Sequence, residues 1–311
     1  MTEKKTQKID FSKGPVWRCM IAQAVPLTIA QLVQLLYNVV DRIYLGHLGD
    51  GNSIALTGVG LTFPIVTLIM AFTALFGMGG VPLFSMARGD QDDEKAEKIL
   101  GNAFALLGVT AVILMFFCMA FRRPILFAFG ASEASYIYAD EYLKIYLWGT
   151  LFSMTATGLN GYINAQGFPK VGMFSTMIGA GMNMILDPIF IFGFDMGVSG
   201  AALATIISQA CSAVWVLNFL TGKNAIVPLR LSNIRIKKEI SLDIFKLGTA
   251  NFIMQGTNCL VQIVCNSTLQ GYGGDIYVGI MTVANSVREI FMLPISGLIS
   301  GAQPVDRKSV V

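Results

Sequence analysis

The chain has 311 residues, 54% of them hydrophobic and only 13% charged, with a formal net charge of +3. Soluble domains carry about 25% charged residues, so this composition describes an integral membrane protein, and so small a charge, scattered in short clusters, gives nucleic acid no face to bind. His47 is the only histidine, the 5 cysteines form no CxxC pair and no GxxxxGK[ST] loop occurs, which excludes histidine-based metal centres and ATP binding and leaves the cysteines as reduced, inert membrane residues.

A spanning helix needs about 20 mainly apolar residues. Eight stretches qualify, at 16–40, 53–84, 99–121, 136–163, 171–193, 197–220, 244–269 and 276–304. The first is too long for a signal peptide and further spans follow it. It carries Gln31, Gln34, Tyr37, Asn38 and Asp41 at spacings of three and four, a polar stripe that suits a lined cavity better than lipid. Asp41 also fits a simpler role, as an interfacial acid paired with Arg42. The fourth span opens with Asp140, Glu141 and Lys144, placed by the pattern at the interface beside Tyr138, Tyr142 and Trp148.

The fifth span contains MNMILDPIFIFG, with Asp187 directly before Pro188. A charge at mid-bilayer costs roughly 2.5 to 3.5 kcal/mol on insertion scales, and a helical proline removes a backbone hydrogen bond as well. Asn183 stands one turn earlier on the same face, and Pro188 biases Asp187 away from helical geometry. Such a broken span is tolerated only where protein or a water-filled cavity satisfies the freed groups. A kinked packing helix accounts for Asn183 but not for the ionisable Asp187. The seventh span repeats polar residues at Gln255, Asn258, Gln262 and Asn266 without an acid, and the eighth carries Arg288 and Glu289. The 16 Met and 21 Phe suit an adaptable pocket or, for most of them, lipid-facing filler.

Lys and Arg set the orientation. They cluster in the N-terminal segment, in the loop after span two and in the loop after span six, while GFDMGVSG and GYGGD have none; Arg122 and Arg123 are the exception. The N-terminus is predicted cytoplasmic. The IRIKKEISLD segment before span seven reads either as an amphipathic surface helix or as a basic loop.

Two distant segments share one layout. A glycine loop, a long apolar span and a closing GGVPL around Pro82 recur as a glycine loop, a span and GAQPV around Pro304, about 222 residues later. The repeat therefore contains about six spans, and a full second copy would need roughly 440 residues. On this pattern the domains are a cytoplasmic segment at 1–15, an N-lobe of six spans at 16–220, a cytoplasmic inter-lobe loop at 221–243 and the first two spans of a C-lobe at 244–305. The tail at 306–311 reads as a junction or truncation.

The strings LLYNVVDRIYLGHLG, GYINAQGFPKVGMFSTMIGAGMNMILDPIFIFGFDMGVSGAALATIISQ and GLISGAQP resemble the multidrug and toxic compound extrusion (MATE) family of the MOP exporter superfamily, over nearly the whole chain to Val305. The resemblance implies an all-α, two-lobe, six-plus-six helix transporter, of which about eight spans are present here, and not an enzyme. It implies alternating access and export of bulky organic cations or drugs across the cytoplasmic membrane by a monomer, driven by inward proton or sodium flow without another cofactor. The coupling residues map to Asp41, Asn183, Asp187 and Thr205, whose oxygens would equally suit a shared proton or a sodium ion. Gln34, Tyr37 and Asn160 map to the substrate cavity. The sequence lacks the span-seven acid of one family branch, which leaves Glu289 for any C-lobe role. A lipid-linked saccharide or polysaccharide flippase of the same superfamily is the alternative, although it calls for several cavity arginines and only Arg288 fits. A membrane-embedded enzyme would need a second motif such as GxGD, which is missing, and a channel rarely has a six-span repeat.

Overall fold

The computed structural model describes residues 16–46 and 54–309; the side chains of 16–20, 22–23, 46, 289–290, 293–294 and 296–309 are not described. The 1–15 segment, His47, the Glu289 side chain and the side chains of the 306–311 tail lie outside that description. All described secondary structure is helical. It runs α1 (Val16–Gly46), α2 (Ile54–Gly60), α3 (Phe63–Thr73), a π-helical turn (Ala74–Met78), α4 (Gly79–Gly89), α5 (Asp93–Ala120), α6 (Arg122–Ala128), α7 (Glu133–Trp148) and α8 (Thr150–Ala165). It continues with α9 (Pro169–Pro188), a second π turn (Ile189–Gly193), α10 (Gly197–Thr221), a 3₁₀ turn (Leu231–Asn233) and α11 (Lys238–Ser309).

Local chemistry explains many of the helix starts. Asp92 caps α5 by accepting from the Lys95 amide at 2.9 Å, and Asp93 and Glu94 place negative charge in its first turn. Ser132 and Ser135 form a capping box on α7, and α9 starts on Pro169, whose missing amide hydrogen has no partner to lose there.

Among the described residues, five helical stretches are long and apolar enough to cross a membrane: Ala24–Leu45, Ile54–Gly89, Asp93–Ala120, Pro169–Gly193 and Gly197–Thr221. They match the first, second, third, fifth and sixth predicted spans. The fourth differs from its prediction, because α7 and α8 are separate 16-residue helices broken at Gly149. A Cβ there would stand 2.6 Å from Ile206 Cγ1, so the glycine admits close approach of α10 at the break. The seventh and eighth predicted spans are two helices, the parts of α11 before and after a kink at Gly274, whose φ 64° and ψ −160° are a conformation open essentially to glycine alone.

A single apolar core ties these helices together. Leu61, Ile65 and Ile69 of the second span meet Leu100 and Leu107 of α5 and Leu143, Leu147 and Leu159 of α7 and α8. Backbones approach closely where side chains vanish: a Cβ on Gly77 would lie 2.6 Å from the Gly158 Cα.

The IRIKKEISLD segment divides between the two forms considered from sequence: 234–237 is a loop and 238–243 form the first turns of α11, while the rest of the linker precedes them. The linker at 222–237 is irregular, with bends, turns and one 3₁₀ turn, yet Val227 and Leu229 are buried. The buried Gln166 side chain accepts from the Ile226 and Val227 amides at 2.9 and 3.1 Å and donates to the Val227 carbonyl at 3.3 Å. Asn102 donates to the carbonyls of Arg235 and Lys237, both at 3.2 Å, and Glu97 pairs with Arg230 and accepts from Asn233. Polar side chains of the first six spans thus hold the linker down.

Candidate functional site

Asp187 is fully buried near the C-terminal end of α9, with Asn183 and Thr205 almost as deeply enclosed. Asn183 Nδ2 donates to Asp187 Oδ1 at 3.2 Å and approaches Thr205 Oγ1 of α10 at 3.4 Å, while the Thr205 hydroxyl donates to the Ala201 carbonyl at 2.9 Å. Asp41, from α1, brings its carboxyl within hydrogen-bonding reach of Asp187. Three helices therefore meet at one polar point. Pro188 acts differently from the sequence expectation: Asp187 keeps its helical geometry, and the irregularity falls after the proline, in the π turn at 189–193. Gly200 of α10 lies against that turn, where a Cβ would stand 2.8 Å from the Phe190 carbonyl carbon.

The centre is rich in acceptors and poor in donors. Asp41 Oδ1, Asp187 Oδ2 and Asn183 Oδ1 are buried oxygens with no hydrogen-bond donor. Buried acceptors of this kind are satisfied by a donor or a cation. A proton shared by the carboxyls would do so, and so would a hard cation, which takes oxygen ligands. The donor set of two carboxylates, an amide oxygen and a hydroxyl fits sodium; a soft or transition-metal site is not formed, and no cluster of three His, Cys, Asp or Glu side chains suited to a metal occurs among the described residues.

Tyrosines wall this centre. Tyr37 hydrogen-bonds Gln34 on α1 and lies near Asp41, Asp187 and Tyr146. Tyr142 and Tyr146 are buried and stacked at 5.7 Å; Tyr142 reaches Thr205, and Tyr146 reaches Gln209 and Ser153. The interfacial placement of Tyr142 is therefore corrected. The signal was present in the alternation of α7: Ala139, Tyr142, Leu143 and Tyr146 face inward, while Tyr138, Lys144 and Trp148 are exposed. Asp140 is buried too and pairs with Arg122 at 3.1 Å and Lys144 at 2.6 Å, while Glu141 accepts from Ser199 at 2.6 Å.

The other cavity candidates divide. Gln34 and Tyr37 adjoin the carboxylates. Asn160 does not: it donates to the Gly172 carbonyl at 3.0 Å and accepts from Asn164 at 3.0 Å, about three helical turns along α9 from Asn183.

A multi-pass helical membrane protein with a two-carboxylate centre buried beside an interrupted helix has the layout of a secondary transporter. Residues 26–189 match the MatE family model, and the chain belongs to that family. It is 29% identical over 304 residues to the multidrug export protein MepA of Staphylococcus saprophyticus and 28% identical to MepA of Staphylococcus aureus, covering 97% of this chain and 66% of each relative. The chain thus spans slightly less than two thirds of the length of these relatives. Among solved structures it superposes on a complex of the MATE multidrug transporter DinF-BH with a TM-score of 0.89 at 29% identity, covering 98% of this chain and 67% of that one. A MATE protein in the bent conformation gives a TM-score of 0.81 at 26% identity, with 98% and 67% covered.

Proposed function

We propose that this protein serves a cation-coupled exporter that moves bulky organic cations or drugs out across the cytoplasmic membrane by alternating access, with its N-terminus cytoplasmic and the monomer as working unit. The observation that carries the reading is the set of buried, donorless oxygens on Asp41, Asp187 and Asn183. A charged acid in a membrane interior is costly unless it has work to do there, and exchanging a proton or sodium for cargo is such work. Asp41, Asn183, Asp187 and Thr205 bind the coupling cation; Gln34 and Tyr37, beside the carboxylates, line the substrate cavity.

The names of the MepA relatives and of the DinF-BH transporter support cargo of the drug class. A saccharide flippase draws less support, because it calls for several cavity arginines and Arg288 alone fits. The test is ethidium efflux from everted vesicles with a proton or a sodium gradient imposed separately. Efflux driven by one of them supports coupled export; no gradient-dependent efflux in either overturns it.

A further inference from the structure

Arg122 and Arg123 are the exception to the charge pattern of the sequence, two arginines at an end of the bundle whose other loops carry no lysine or arginine. Arg123 lies 5.7 and 5.8 Å from the ring centres of Phe127 and Tyr136 and pairs with the exposed Glu133 at 3.8 Å. Arg122 turns toward α7, where its Nε stands 3.1 Å from Asp140 Oδ1, while Lys144 Nζ stands 2.6 Å from the other oxygen of the same carboxylate. Glu141 turns away, to Ser199 of α10. Two cations thus share one buried acid, and the cluster is left positive.

A groove of about 240 Å³ starts one turn away, lined by Ala111, Val112 and Met115 of α5 and by Trp148, Leu151 and Phe152 on either side of the Gly149 break. It is apolar and open, because Val112, Trp148, Leu151 and Phe152 are all exposed. Lys144 precedes Trp148 by one turn, about 6 Å, on the same face of α7. On α5, Arg122 Nη1 reaches back to Met119 Sδ at 2.8 Å, and Met119 is one turn from Met115 of the groove wall.

We infer that this groove is a binding site for a phospholipid with an anionic headgroup, its acyl chain laid along Trp148, Leu151 and Phe152 and its phosphate held by Lys144 and Arg122. An apolar groove alone accepts any chain, and the positive charge at its end selects among headgroups. An ammonium and a guanidinium together carry more N–H donors than the single carboxylate of Asp140 can accept, which leaves donors for phosphate oxygens. Long basic side chains near the bilayer interface extend their charged ends to the headgroup level and attract anionic lipids. The same charge repels the organic cations proposed as cargo. The inference stands apart from the export reading, since it uses neither the carboxylate centre nor its cation.

The test uses the protein in nanodiscs of phosphatidylcholine doped with a phosphatidylglycerol that carries a photoreactive acyl chain or, in a second arm, with a phosphatidylcholine that carries the same chain. Crosslinked peptides are mapped by mass spectrometry. The expected result is labelling of 111–115 and 148–152 that favours the anionic probe, with the preference cut about fivefold in Lys144→Gln and kept in Lys144→Arg. Arg123→Gln removes the same charge from beside the cluster and is expected to leave the preference intact. Both side chains are exposed over half or more of their surface, so neither replacement disturbs the core. Equal labelling by the two probes in the native protein, or none in these peptides, overturns the site. Equal loss of preference in Lys144→Gln and Arg123→Gln overturns it as well, because it shows a general attraction of the basic end.

Discussion

Asn183 Nδ2 stands 3.2 Å from Asp187 Oδ1, one helical turn away on α9, and the same nitrogen points on toward Thr205 Oγ1 at 3.4 Å. The amide supplies the donor of this cluster, and the oxygens left over collect around Asp187. Replacement of the acid by its amide isostere separates shape from charge. Asp187→Asn is expected to insert and fold normally while gradient-driven ethidium efflux falls to background. Efflux assays at matched membrane abundance decide it, and native rates in the variant would rule out Asp187 as the coupling acid.

The same cluster distinguishes the two cations. Asn183→Ala and Thr205→Ala each remove an oxygen that does not titrate, so a proton-coupled protein should keep most of its transport, whereas a sodium-coupled one loses a ligand. Sodium dependence of efflux, compared across the two variants, reads the difference; a small change in both with sodium as the driving ion would remove these side chains from the shell.

Packing gives an expectation independent of transport. Gly77 and Gly158 meet backbone to backbone, while nothing lies within 4 Å of where a Cβ would sit on Gly181. Gly77→Val should overpack the contact at a cost of about 1–3 kcal/mol and lower the thermal midpoint in detergent, and Gly181→Ala should not. Equal midpoints for the two variants would contradict the close approach.

The linker clamp is testable by exchange. Gln166→Ala strands the amides of Ile226 and Val227, and each buried group left unsatisfied costs about 1–3 kcal/mol. Hydrogen–deuterium exchange across 223–237 should speed up while α8 stays protected. Gln166→Glu keeps the acceptor and should fall between the two. Unchanged exchange in Gln166→Ala would show that Val227 and Leu229 hold the segment unaided.

Orientation is read by labelling. Cysteines at Asp195 and Tyr272, both exposed, should react with an impermeant thiol reagent added outside cells, and one at Glu94 should not. Glu94 is preferable to Asp92, which caps α5. Tyr272 is preferable to Gly273, where a Cβ would collide with the Tyr277 ring. Labelling of Glu94 from outside would invert the assigned topology.

Sequence alone determined the membrane class, because a low charge fraction and long apolar runs follow directly from the solvent the chain must enter. It also paired Asn183 with Asp187, since helical periodicity places i and i+4 on one face whatever the surrounding fold. Tertiary structure decided the rest. That Asp41 meets Asp187 and that Thr205 completes the cluster depend on how α1, α9 and α10 pack, a relation between distant segments that residue spacing does not encode and that only the family resemblance anticipated. Tyr142 shares with Ala139, Leu143 and Tyr146 the face that the periodicity of α7 marks as inward; that this face meets Thr205 and Gln209 was decided by the approach of α10. The break at Gly149 has the same origin, since only the position of Ile206 shows why that glycine is needed. Periodicity fixes what shares a face, and packing fixes what that face meets.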